Sequence, residues 1–168
     1  MLPPINFKSW IEENRHLLKP PVGNKIVYED TEFTIMVVGG PNTRKDYHID
    51  EGEEFFYQLE GKMILRIMED GKPKDVAINE GEIFLLPPKV PHSPQRFENT
   101  VGLVVERKRR DGELDAFQWY CDECNTLLYE EYLQLKDIVK QLPQIFEGFW
   151  NNDDARSCKS CSAYLEKP

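Results

Sequence analysis

His48 and Glu54 stand six residues apart, and His92 follows the proline-rich run at residues 87–91. Imidazole and carboxylate groups bind divalent transition metals, and two histidines with one carboxylate make the facial triad of non-haem Fe(II) oxygenases. Such a triad keeps about three coordination positions open for substrate and O₂. The chain has three histidines in all, His16, His48 and His92, so a site of three or four histidines is not expected within one chain. In extended backbone, residues an even number apart share one face. That parity would place His48 and Glu54 on one wall, although Gly52 between them is a turn signal that breaks it.

A second chemistry lies in the four cysteines. Cys121 and Cys124 form one Cys-x-x-Cys pair, and Cys158 and Cys161 form another. Each pair presents two sulfurs to one ion. Two pairs complete a closed tetrahedral site with no vacancy for a substrate, so its expected job is structural, pinning a C-terminal segment that has little core of its own. Zinc and iron both accept four thiolates, and spacing does not separate them. A redox role is the weaker reading, because thiol–disulfide motifs of this kind sit near a βαβ pattern that is missing here.

The elements that must position these groups fall into two kinds. Residues 6–18 read as a helix, with Asn6 as N-cap, Phe7, Trp10, Ile11, Asn14, Leu17 and Leu18 near a 3.6-residue period, and Pro20 and Pro21 as the stop. His16 lies there and is expected to be exposed or packed, not a ligand. From about Ile26 to Arg107 the pattern is strand after strand, at 33–38, 55–59, 63–67, 76–78, 83–86 and 103–107, with glycine, proline or acidic turns between them. Short strands at near-regular spacing predict an antiparallel sandwich or barrel. Past the charged connector at 108–112, Ile138, Val139, Leu142, Ile145, Phe146 and Phe149 fall on helical spacing around Pro143, which predicts two short helices or one broken helix. The chain thus divides into a barrel with its N-terminal helix over 1–110 and a cysteine-bearing segment over 111–168, packed on that barrel.

The 168 residues suffice for a real core without disulfides. The net charge of −9 argues against nucleic acid or an anionic membrane as partner. No run approaches a transmembrane helix. The first ten residues do not read as a secretory signal. A cytoplasmic location is the default, where cysteines serve better as thiolate ligands than as disulfides.

Gly81, Pro87 and His92 resemble the second cupin motif, with Lys89 in place of its usual glycine and Arg96 in place of its usual asparagine. His48, Asp50, Glu54 and Gly61 resemble the first, with Asp50 where a second histidine is usual and Asn42 where a leading glycine is usual. The resemblance implies a mainly β fold, a double-stranded β-helix or jelly-roll barrel. More specifically, residues 17–24, 37–42, 46–48, 53–58, 85–88, 91–96 and 119–121 resemble, in order, the 3-hydroxyanthranilate 3,4-dioxygenase family, and the added cysteines resemble its bacterial and fungal form. That form is a homodimer with a rubredoxin-like iron site.

The resemblance implies O₂-dependent opening of the 3-hydroxyanthranilate ring. The product, 2-amino-3-carboxymuconate semialdehyde, cyclises to quinolinate on the route from tryptophan to NAD. It also implies catalytic Fe(II) on His48, Glu54 and His92, a second iron or zinc on Cys121, Cys124, Cys158 and Cys161, Arg44 near the O₂ position, and Arg96 and Glu106 on the substrate. The chemistry agrees. The substrate's adjacent amine and phenolate can chelate iron, Glu54 can also take a proton or hydrogen bond from the chelating group, and Arg96 offers a planar fork to the carboxylate. Glu106 lies among valines and needs an arginine or the substrate amine as partner. Two other classes fit the cupin motifs: a metal-dependent isomerase or epimerase, and a protein that senses a small acid without catalysis.

Overall fold

The computed structural model describes residues 3–20, 23–135 and 138–168, the side chains of 138–140 excepted. Among the described residues, eleven strands lie in two antiparallel sheets. Among them are β1 (Asn24–Ile26), β2 (Phe33–Gly39), β3 (Asp46–Ile49), β4 (Glu54–Glu60), β5 (Met63–Glu69) and β6 (Lys72–Ile78). The others are β7 (Ile83–Leu86), β8 (His92–Arg96), β9 (Val101–Arg107), β10 (Asp115–Tyr120) and β11 (Leu127–Leu133). One sheet has the order β1-β2-β9-β4-β7 and the other β11-β10-β3-β8-β5-β6. Consecutive strands repeatedly change sheet, as in a jelly roll, so the inward-facing side chains of both sheets line one interior.

Alternation sets that interior. On β4, Glu54, Phe56 and Gln58 are buried; on β9, Gly102, Val104 and Glu106 are buried. Phe56, Met63, Leu65, Ile67, Ile78, Leu86 and Val104 form the central apolar cluster. Burying such side chains stabilises by about 1.5–3 kcal/mol each, enough to carry the polar groups gathered at one end. The β4–β5 turn uses Gly61 at φ +67°, where an added Cβ would meet Thr100 Cγ2 at 2.9 Å.

The N-terminal helix α1 (Phe7–Asn14) starts as expected: the Asn6 side chain accepts from Ser9 N at 3.0 Å. It continues as a 3₁₀ turn over Arg15–Leu17. Ile11 and Leu18 bury against Val37 and Val101 on the outer face of the first sheet. His16 is exposed. Pro21, part of the expected stop, lies outside the described residues.

The C-terminal segment joins the barrel directly, because β10 pairs with β3 through Ala116↔Ile49 to Trp119↔Asp46. In place of a break at Pro143, one helix, α2, runs over Ile138–Trp150, with α3 (Asp153–Arg156) after it. A proline inside a helix costs about 3 kcal/mol. The helix persists because Ile145 and Phe149 bury against Phe117 and Trp119, and the Trp119 and Phe149 rings stack at 4.4 Å. No helix among the described residues is long and apolar enough to cross a membrane.

Candidate active site

His48, Glu54 and His92 come together at one end of the barrel, their ligand atoms all within 4.8 Å of one another. The two histidines are direct cross-strand partners, His48 on β3 opposite His92 on β8. Glu54 arrives from the other sheet, at the start of β4 opposite Glu106. The shared wall suggested by parity is therefore not how His48 and Glu54 meet. The chain turns from one sheet to the other at 50–53, and they face each other across the interior. Parity does hold on β8, where His92 and Arg96 are both buried despite Pro94 between them.

The local geometry fits a metal ion. His92 Nδ1 donates to the Val90 carbonyl at 3.0 Å, which aims Nε2 inward. Nε2 then lies 2.7 Å from Glu54 Oε2, yet this buried oxygen has no hydrogen-bond partner. An imidazole nitrogen and a carboxylate oxygen this close are at the spacing of two ligands on one ion. On His48, Nε2 donates to Asp115 at 2.6 Å, leaving the other ring nitrogen free as a ligand. Burial pushes the Glu54 carboxyl up, but His92, His48 and Arg109 together outweigh it and hold the pKa down to about 2.

The triad opens onto a cavity of about 120 Å³ lined by Met36, Val38, Phe56, Val104 and Phe117, with Leu142 of α2 at one side. Cavities of roughly 150 Å³ admit benzene, so the scale suits one small aromatic. A larger groove of about 440 Å³ lies outside, by Tyr47 and Tyr120. Its charged groups are already paired, Arg66 with Asp75 at 2.7 Å and Lys45 with Asp122 at 2.8 Å.

Three arginines border the inner cavity, and their partners separate them. Arg44 pairs with Asp46. Arg109 pairs with Asp50, Glu106 and Asp115. Arg96 is 4% exposed, and its Nη1 is buried without an acceptor. Among the described residues, four buried side-chain polar atoms lack a hydrogen bond, and two of them, on Glu54 and Arg96, line this cavity. Since native proteins satisfy such groups almost everywhere, this concentration marks a ligand site. Burial pushes the Arg96 guanidinium down to about 10, still cationic at neutral pH. Glu106 finds the arginine expected for it, Arg109 Nη1, which donates to Oε1 at 2.7 Å. Burial nevertheless pushes the Glu106 carboxyl up to about 7. Arg109 and Asp115 were not anticipated from sequence. Only the β3–β10 pairing brings Asp115 to a histidine 67 residues away.

The four cysteines form the second cluster. Cys121 and Cys161 sulfurs are 3.6 Å apart, and those of Cys124 and Cys158 are 3.5 Å apart. Bonds of about 2.3 Å in a tetrahedron place sulfurs roughly 3.8 Å apart, so the thiols are already near coordination geometry. Each knuckle closes on a residue of positive φ just after its second cysteine, Asn125 at 59° and Ser162 at 63°.

The family model described as 3-hydroxyanthranilic acid dioxygenase matches residues 1–150. A 3-hydroxyanthranilate 3,4-dioxygenase of Xanthomonas euvesicatoria is 55% identical over 161 residues, 96% of this chain and 91% of that protein. The enzyme of the same name from Jannaschia sp. is 56% identical over 158 residues, covering 94% of this chain and 88% of that one. A solved structure from Neisseria meningitidis superposes with a TM-score of 0.50 at 19% identity, covering 62% of this chain and 99% of that one. This last likeness speaks to the fold.

Proposed function

The chain belongs to the 3-hydroxyanthranilic acid dioxygenase family, and we propose that its triad cavity is where it opens the ring of 3-hydroxyanthranilate with O₂. The product is 2-amino-3-carboxymuconate semialdehyde, precursor of quinolinate. The observation that carries the assignment is the buried Arg96 guanidinium, its Nη1 without an acceptor, lining the same cavity as His48, Glu54 and His92. A small aromatic carrying a carboxylate answers both the unmet cation and the apolar walls.

In this reading His48, Glu54 and His92 hold Fe(II). When bound, the ion supplies Lewis acidity that favours the deprotonated phenol, and redox chemistry toward O₂. Arg96 receives the carboxylate through its fork and fixes the ring in the cavity. Glu106, at about 7, is poised to hold or release a proton beside the substrate's amine. Glu54 is placed to accept a hydrogen bond from the chelating group. Arg44, kept cationic by Asp46, borders the O₂ position. Phe56, Val104 and Met36 exclude water from the ring. Adding 3-hydroxyanthranilate and Fe(II) in air tests this: a new ring-opened chromophore is expected, and none anaerobically. A chromophore of equal rate without O₂ would overturn it.

Gly102 supports Arg96. A Cβ there would lie 2.6 Å from Arg96 Nη1 and 3.0 Å from Gln58 Oε1. Gly102→Ala should push the guanidinium aside and raise KM roughly tenfold, an effect of about 1.4 kcal/mol, without loss of bound iron. An unchanged KM would show that the cradle is dispensable.

The four cysteines hold a second ion, iron or zinc, and their free thiols suit a reducing, cytoplasmic setting. Because such a site is closed to substrate, Cys121→Ser or Cys158→Ser should lower the melting temperature while folded protein still turns over. Metal analysis should find two ions per wild-type chain. A variant with normal stability but no ring opening would contradict the division of labour.

A homodimer is expected over the outer face of the first sheet, where Leu85, Phe55, Val105 and Ile35 lie in one row, Leu85 being 52% exposed. Contiguous exposed apolar patches mark interfaces. Leu85→Glu should therefore sediment as a monomer; a persistent dimer would place the interface elsewhere.

A further inference from the structure

Behind His48, three carboxylates converge on one guanidinium. Arg109 donates from Nε to Asp115 Oδ1 at 2.8 Å and from Nη2 to Asp115 Oδ2 at 2.6 Å, a bidentate fork. Its Nη1 donates to Glu106 Oε1 at 2.7 Å, and Nη2 lies 3.2 Å from Asp50 Oδ2. Asp115 is fully buried, and Arg109 has only 8% of its side chain exposed. The same Asp115 Oδ2 accepts from His48 Nε2 at 2.6 Å. One planar cation thus touches the carboxylate that orients a metal-ligand histidine and the carboxylate that lines the substrate cavity.

Ligand histidines hold their ring orientation through such a carboxylate, and loss of it typically costs ten- to hundredfold in metal affinity or activity. An aspartate fixed by a bidentate fork has little freedom left, so Arg109 decides where Asp115, and through it the His48 ring, stands. The position of Arg109 also fixes Glu106. Register agrees: Asp115 follows from the β3–β10 pairing that places Phe117 opposite His48, and the two rings stack at 5.0 Å. Resting on the metal-site reading above, we propose that Arg109 and Asp115 are positioning residues. Asp115 sets the His48 ring for the metal, and Arg109 ties that setting to Glu106 on the substrate side. Lysine cannot reproduce the tie, because it lacks the planar fork that serves two carboxylates at once.

The test uses full-length protein with its four-cysteine site filled with zinc, titrated anaerobically with Fe(II) against a competing chelator. Asp115→Asn keeps an acceptor for His48 but loses the charge that Arg109 grips. It should weaken Fe(II) binding roughly ten- to hundredfold. Arg109→Lys retains the charge, so that the protein still folds; it should weaken Fe(II) binding and, at saturating iron, raise KM more than it lowers kcat. Thermal melts of the zinc-filled proteins report any purely structural effect. If both variants melt lower yet bind Fe(II) as tightly as wild type, with unchanged KM, the residues only hold the fold and the proposal is wrong. His48→Ala serves as the control. If it loses the iron while Asp115→Asn and Arg109→Lys keep wild-type affinity, only the positioning roles fall. If His48→Ala itself binds Fe(II) as wild type does, the metal assignment fails and this proposal with it.

Discussion

Protein carrying His92→Ala, His48→Ala or Glu54→Ala should fold, bind a single ion per chain at the cysteines, and fail to open the ring. In the proposed assignment each substitution removes one of three protein ligands from the same ion, and a bound metal is worth several kcal/mol of transition-state stabilisation. Turnover should fall by roughly three decades or more, since each 1.36 kcal/mol is tenfold in rate. The fold should survive, because the apolar cluster around Phe56, Leu65 and Val104 lies beside the triad and does not depend on it. For Glu54 the change also removes a buried oxygen that has no hydrogen bond in the protein. His16→Ala, on an exposed side chain, should be silent. Metal analysis with a steady-state assay checks the set. Full turnover by His92→Ala would remove it from the metal's coordination.

Arg96→Ala should raise KM by roughly one to three decades with iron content unchanged. A bidentate, charge-assisted pair in a site closed to water is worth on the order of 2–4 kcal/mol when truncated. Arg44 and Arg109 already have their carboxylates, so neither is free to replace it. Lysine should rescue only in part, keeping the charge and losing the fork. The matching substrate test is 2-aminophenol, which lacks the carboxylate: it should be poor with wild type and little affected by the substitution. Stability should move the other way. A buried, unpaired cation is costly, so Arg96→Met, similar in length and apolar, should melt higher than wild type. If Arg96→Ala kept undiminished discrimination between the two compounds, another residue would read the carboxylate.

The parts of this site that could be read from sequence are those carried by short local patterns. The histidines, Glu54 and both cysteine pairs lie in compact motifs, and Arg96 shares a strand face with His92. The apolar strands β2, β4, β5 and β7 were legible for the same reason, as β-branched and aromatic runs between turn residues. Strands β3 and β8 were not, because their residues are mostly polar or titratable. Asp46, Tyr47 and His48 on one, and His92, Pro94 and Arg96 on the other, do not look like core strands. Yet Pro94 fits within β8 because that strand bonds fully to β5 and touches β3 only at His48↔His92. Functional segments often break local rules in this way. The charged network was hidden for another reason. Glu106 announced its need for a cation, but whether Arg107, Arg109 or Arg110 answered it depended on how the chain turns after β9. Asp115 reaches His48 only through tertiary pairing.

The most direct measurement of the central claim is oxygen uptake by Fe(II)-loaded enzyme given a known, limiting amount of 3-hydroxyanthranilate. Ring opening that places both oxygen atoms in the product requires one O₂ per substrate consumed, no added reductant, and no uptake by His92→Ala. Substrate loss without matching uptake, or equal uptake by His92→Ala, would contradict a dioxygenase working at His48, Glu54 and His92.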